Sequence, residues 1–134
     1  MSTLADTNIL PRRTQPDHSS HMLAVNSVAK LPDAGETVHF TLQNISEFWN
    51  VATRRVENNG LGFTAALASG EVEKIERLLT ILPESPAVYA EWKRLVLKHG
   101  VLGSTVYDVR LVATMNIHGV PRMLTFNIQD FARY

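Results

Sequence analysis

Short β-prone runs alternate along this chain with longer segments of helical period, and that alternation limits how it can fold more than any other feature. Thr3 to Ala5 reads as a first strand, Thr37 to Leu42 as a second and Arg122 to Phe126 as a last one. The polar stretch from Pro11 to Ser20 reads as a loop. Met22, Val25, Val28 and Ala29 then follow a helical period that stops at Pro32, and Asp33-Ala34-Gly35 turns the chain into the second strand. From Asn44 the pattern is helical again, with Ile45, Phe48, Trp49 and Ala52 forming an apolar stripe broken off at Asn58-Asn59-Gly60. Val72, Ile75, Leu78, Leu79 and Leu82 mark a further helix that Pro83 ends. Ser85 and Pro86 read as the N-cap and first residue of the next, whose buried face is Val88, Trp92, Leu95 and Val96 and whose stop is Gly100. A last long helix begins at Thr105 and runs past Leu111, Val112 and Met115 to Gly119. Strands separated by helices imply an α/β domain: a central parallel sheet covered on both faces, in three α/β/α layers.

The length, 134 residues, suits one domain spanning residues 1–134 that buries a core without staples. With no Cys, disulfides, thiolate metal sites and a Cys nucleophile are excluded, and the five His show no ligand spacing that would suggest zinc. No GxGxxG, Walker A or GxSxG pattern occurs, which disfavours dinucleotide binding, NTP hydrolysis and serine-esterase chemistry. The apolar runs are too short for a membrane span and no signal-peptide pattern opens the chain, so a soluble, cytoplasmic protein with no membrane partner is expected. Ser19-Ser20-His21-Met22 is read as native sequence.

Acidic side chains lie just beyond several of the apolar runs: Asp6 in ADTNIL, Glu47 in ISEFWNVATR, Asp108 in VYDVRLVA, and Asn127 with Asp130 in LTFNIQDF. In parallel α/β folds ligands collect beyond the carboxyl ends of the strands, so these groups are expected to converge. Gathered carboxylates raise one another's pKa, and a divalent cation is the usual means of keeping them ionised together. Each residue also has a plainer reading. Asp6 can start a turn through local hydrogen bonds, and Glu47 can be a solvated helix carboxylate. Thr105 to Asp108 matches a capping box, and Asn127 with Asp130 can launch the final turn. Asn8 and Thr125 are candidates to orient the acids. Formal net charge is zero, but setting Asp6, Glu47, Asp108 and Asp130 aside as metal-neutralised leaves 13 basic residues against 9 acidic ones. That excess, with Arg12, Arg54 and Arg55 as candidate clamps, suits a phosphate backbone.

ADTNIL, SEFWNVATR, YDVRLVA and LTFNIQDFARY together resemble PIN domains, in particular the ribonuclease toxins of bacterial VapBC-type toxin and antitoxin systems. The resemblance covers nearly the whole chain. It implies a PIN-like fold and an endoribonuclease dependent on Mg²⁺ or Mn²⁺, with Asp6, Glu47 and Asp108 as the acids that hold metal. The fourth family acid falls at Asn127, with Asp130 three residues later, so either residue is a candidate for that place. Two further departures are Pro11, where a helix would continue, and Tyr107, where His would be expected. RNA as substrate, a small antitoxin as partner and a homodimer are implied on the same ground. Two other functions compete. One is a catalytically weak or inactive PIN fold that binds RNA or protein, which Asn127 favours. The other is a phosphoacceptor signalling domain, which would want a Lys after a late strand, and none occurs after Lys98.

Overall fold

The computed structural model describes residues 2–15, 21–26 and 35–134. Strand β1 (Ser2–Ala5) leads into helix α1 (Ile9–Arg13), and residues 21–26 are helical (α2). Strand β2 (Thr37–Phe40), helix α3 (Leu42–Thr53), a 3-10 turn (Val56–Asn58), helix α4 (Ala65–Leu78) and strand β3 (Thr80–Ile81) follow. The chain then forms α5 (Ala87–His99), α6 (Thr105–His118), β4 (Arg122–Leu124) and α7 (Ile128–Phe131). All three strand pairings are parallel, in the order β3-β2-β1-β4, so the expected central parallel sheet flanked by helices is present.

Strand alternation divides the core. Ala5, Val38 and Phe40 pack with Ile9, Leu10, Ala24, Phe48, Ala52, Ala68 and Ile75 from α1 to α4 on one face. Leu4 points to the other face, against Leu82, Leu111, Met115 and Val120. Beyond it Leu95, Val101, Val109, Val112 and Ala113 close the α5–α6 hairpin, with Val88, Trp92 and Phe131 packed on them. β1 is bonded on both edges and covered on both faces, and its Leu4 and Ala5 are wholly buried.

Several element limits differ from expectation. Pro11 lies inside α1, not in a loop: it is the third residue of the helix, in the first turn, where a missing N–H loses no helical bond. In α2, Ala24 is buried while Met22 is 63% exposed, so the buried face is rotated from the expected stripe. Val28, Ala29, Pro32 and Asp33-Ala34 lie outside the described residues. The second strand stops at Phe40, because Thr41 and Asn44 cap α3 reciprocally: the Thr41 N–H donates to Asn44 Oδ1 at 2.8 Å and the Asn44 N–H to Thr41 Oγ1 at 3.1 Å. The helix expected to run to Leu82 ends at Leu78, after which Leu79 turns extended and Thr80–Ile81 pair with His39–Phe40. Leu79 and Leu82 reach opposite faces of the sheet, which a continuing helix would not allow. The last strand ends at Leu124, two residues short of Phe126. α5 starts at Ala87, one residue later than expected, with Pro86 at the cap position and no side-chain cap. Ser85 lies one residue further out, its hydroxyl accepting the Ala87 N–H at 3.2 Å, and Gly100 ends that helix in the left-handed region at φ +57° as expected.

Candidate active site

From β1 the chain moves outward to β2 and β3 on one side and returns to β4 on the other, so strand order reverses at β1. The carboxyl ends of β1 and β4 therefore flank the crevice where a parallel sheet collects ligands. Asp6 follows β1 directly, is 6% exposed, and is fixed at both carboxylate oxygens. Oδ1 accepts the Thr7 N–H at 2.7 Å and Oδ2 accepts the Thr125 hydroxyl at 2.7 Å, while the Asp6 N–H donates to the Leu124 carbonyl at 2.8 Å. The strand adjacency that a convergent site requires is thus met by β1 and β4, and Thr125 orients Asp6 directly.

Glu47 comes from the second turn of α3, whose N-terminus opens on the same edge because β2 ends there. Its Oε1 accepts the Gln43 amide at 3.0 Å, and the same amide nitrogen donates to the Tyr107 carbonyl at 2.9 Å. One side chain so ties the Glu47 helix to the first turn of the Asp108 helix. Asn44 performs a parallel task, donating to Thr7 Oγ1 at 3.0 Å while it caps α3. Neither Gln43 nor Asn44 stood out in the sequence; the Thr41-to-Asn44 spacing of a capping box was the available signal for the second.

Asp108 does not cap its helix. α6 has Ser104 at its cap position and Thr105 already as its first helical residue, with no side-chain cap, so Tyr107 holds the third helical position and Asp108 the fourth, one place too late for a capping box. Its carboxyl is half-buried, and its pKa is pushed up to about 6 by loss of solvent and then by the charges of Asp6, Asp130 and Glu47. The Asp6 carboxyl is also raised, chiefly by burial, against the lowering effect of its Thr125 and Thr7 hydrogen bonds; Glu47 and Asp130 add repulsion. Four carboxylates thus share one field. Asp130 is exposed on α7, its N–H bonded to the Asn127 carbonyl at 3.0 Å. Asn127 is exposed, and its N–H donates to Thr125 Oγ1 at 3.0 Å, which places it one bond behind the hydroxyl that holds Asp6. Asn8 precedes α1 at its cap position without capping it, and its buried Oδ1 has no partner among the described residues.

The arginines divide differently. Arg12 sits on α1, half-buried, and donates to Gln15 Oε1 at 2.8 Å. Arg54 and Arg55 follow the last residue of α3, the end opposite to its capped N-terminus, about 18 Å away at roughly 1.5 Å per residue. They are not brought to the acids. Arg54 instead organises the turn after α3: its carbonyl accepts the Gly62 N–H at 2.9 Å and its guanidinium donates to the Asn59 carbonyl at 3.3 Å.

Carboxylate oxygens in a shared negative field suit a hard divalent cation. Among the described residues none of the four acids pairs with Lys, Arg or His; the ion pairs there are Lys74–Glu71, Arg94–Glu91, Arg110–Glu84 and Arg122–Glu36. The charge therefore fits a cation. The coordination shell is not preassembled, because among the described residues no three acidic or histidine side chains stand close enough to grip one ion.

The sequence matches the family described as PIN domain over residues 3–134. The fold is similar to that of Mycobacterium tuberculosis VapC20, described as a toxin that cleaves the sarcin-ricin loop, with a TM-score of 0.74 and 14% identity over 98% of this chain and 94% of that one. It is similar to VapBC2 from Rickettsia felis, solved bound to a promoter DNA fragment, with a TM-score of 0.69 and 15% identity over 99% and 92%. VapBC-1 from nontypeable Haemophilus influenzae gives 0.66 and 13% over 99% and 92%. No curated protein matches the chain.

Proposed function

The chain belongs to the PIN domain family, and we propose that it is an endoribonuclease dependent on Mg²⁺ or Mn²⁺, the toxin of a toxin and antitoxin pair. The observation that carries this is the mutual repulsion of Asp6, Glu47, Asp108 and Asp130 at the strand-order reversal, with no basic partner among the described residues. Asp6 and Asp108 would hold the cation. When bound, it supplies positive charge against the phosphoryl oxygens and lowers the pKa of water. Thr125 and Thr7 keep the Asp6 carboxylate facing the crevice. Glu47, held by Gln43, orients the attacking water and takes its proton. Asp130 supplies the fourth negative charge. Its action on Asp6 and Asp108 supports Asp130, more than Asn127, in the fourth acidic place.

The likeness to VapBC complexes supports a small antitoxin as partner, and the likeness to VapC20 supports RNA as substrate; a homodimer in the cytoplasm is part of the same proposal. No helix among the described residues is long and apolar enough to cross a membrane. The test is cleavage of single-stranded RNA by chelator-stripped protein as Mn²⁺ is restored. Cleavage that returns with the ion and is absent in Asp6→Asn supports the reading; cleavage that persists in EDTA or in Asp6→Asn overturns it.

A further inference from the structure

We propose that the groove beside the acids is a nucleobase subsite, which takes one nucleotide of single-stranded RNA with its base against Tyr89 and Trp92 and its phosphate at Arg110. The identity of the strand rests on the ribonuclease reading; the groove itself does not. Its volume is about 510 Å³, within the range of small-ligand pockets, and it opens between the β3–α5 loop and α6.

Pro83, Pro86, Tyr89 and Trp92 give the groove flat apolar walls. The Trp92 indole is fixed before any ligand arrives, because its Nε1–H donates to the Val106 carbonyl at 2.9 Å, so no rotamer freedom is lost on binding. Tyr89, one helical turn earlier, is 66% exposed, with its ring 24° from parallel to that of Trp92 and 6.4 Å between centroids. Exposed aromatic faces of this kind stack bases of any sequence.

The polar side of the groove suits a phosphate. Arg110 is paired with Glu84 at 3.2 Å, and both side chains are largely exposed, so exchanging that carboxylate for a phosphate oxygen costs little. Arg110 stands two residues beyond Asp108 on α6, about 200° further round the helix, so Arg110 faces the groove while Asp108 leaves α6 on the other side. Gln43 lines the groove and donates to Glu47 at 3.0 Å, so groove and acids share a wall. With the phosphate of that nucleotide at Arg110, it is the neighbouring phosphodiester of the strand that passes Gln43 toward the carboxylates.

The test uses the full chain carrying Trp49→Phe, so that Trp92 alone reports. Its fluorescence is read in EDTA against AMP, UMP, ribose 5-phosphate and a single-stranded RNA hexamer. Both nucleotides and the hexamer are expected to quench saturably and ribose 5-phosphate is not. Tyr89→Ala should weaken the hexamer about tenfold. Arg110→Ala should weaken it too and flatten its salt dependence. Absence of saturable quenching, or equal hexamer affinity in Tyr89→Ala, overturns the subsite. So does a Tyr89→Ala protein that sediments at a lower mass with unchanged affinity, since a second copy would then cover the groove. Mn²⁺-dependent cleavage is followed in parallel. Cleavage that Asp6→Asn abolishes, with KM unmoved by Tyr89→Ala and Arg110→Ala, refutes the subsite and leaves the ribonuclease reading intact. Base-dependent quenching in a protein that cleaves no RNA upholds the nucleotide site and refutes that reading.

Discussion

Replacing Asp108 by Asn removes a charge that the fold disfavours, so the variant should be more stable than the parent wherever that charge exists. The Asp108 carboxyl rises from 3.8 to about 6 on folding, by burial first and then by Asp6, Asp130 and Glu47. At roughly 1.36 kcal/mol per pKa unit the full shift corresponds to about 3 kcal/mol. Solvent screening around a half-buried group reduces this to about 1–2 kcal/mol. The sign follows from linkage: a raised folded-state value means that stability present below pH 3.8 is lost as pH climbs through about 6. Asn cannot ionise and loses none of it. In EDTA the Asp108→Asn protein should therefore melt at the parental temperature near pH 4 and about 3–6 °C higher at pH 7.5. Saturating Mn²⁺ should reverse the order by stabilising the parent, by about 2.7 kcal/mol at a hundredfold excess over Kd. Thermal melts across pH with and without the ion read both effects. A melting difference independent of pH, or an Asn variant less stable at pH 7.5 in EDTA, would refute the reasoning.

Thr125→Ala should cut RNA cleavage about tenfold by freeing the Asp6 carboxylate, and Thr125→Ser should restore it; single-turnover rates at saturating Mn²⁺ decide this. Asn44→Ala removes the side-chain half of the α3 capping box, leaving the buried Thr41 N–H unpaired, and the bond to Thr7, and should cost about 2–3 kcal/mol in a urea titration. Gly60→Ala should destabilise the chain by more than about 2 kcal/mol in the same assay, because the added Cβ would run into the Arg54 carbonyl at the turn after α3. Arg54→Ala should leave the salt dependence of RNA binding unchanged, since Arg54 lies at the far end of α3; a flatter salt slope would bring it back to the substrate.

The parallel sheet was legible because strand and helix periods alternate, and placing each acid after its apolar run anticipated that Asp6, Glu47 and Asp108 act on one another electrostatically, though no metal shell is preassembled among the described residues. Asp6 and the segment of Asn127 and Asp130 do follow neighbouring strands. What stayed hidden has physical causes. β3 has only two residues, and Leu79 and Leu82 on either side of it kept the helical spacing of α4 while serving opposite faces of the sheet. The capping box read at Thr105 failed because α6 sits in a different register, whereas Thr41 with Asn44 made a real one with the less usual Asn at its third position. Arginine pairs carry no direction: Arg54 and Arg55 gave the same signal as a phosphate clamp but fall at the wrong end of their helix. Gln43 matters only through Glu47 and the Tyr107 carbonyl, contacts that no local spacing encodes in full.

The most direct test of the central claim is calorimetric titration of chelator-stripped protein with Mn²⁺ at pH 6, in buffers of different ionisation enthalpy, alongside RNA cleavage by the same samples. Saturable binding that releases protons, restores cleavage and fails in both Asp6→Asn and Asp108→Asn is the predicted result. Binding that survives both substitutions, or cleavage indifferent to the ion, would contradict a single cation site built from these acids.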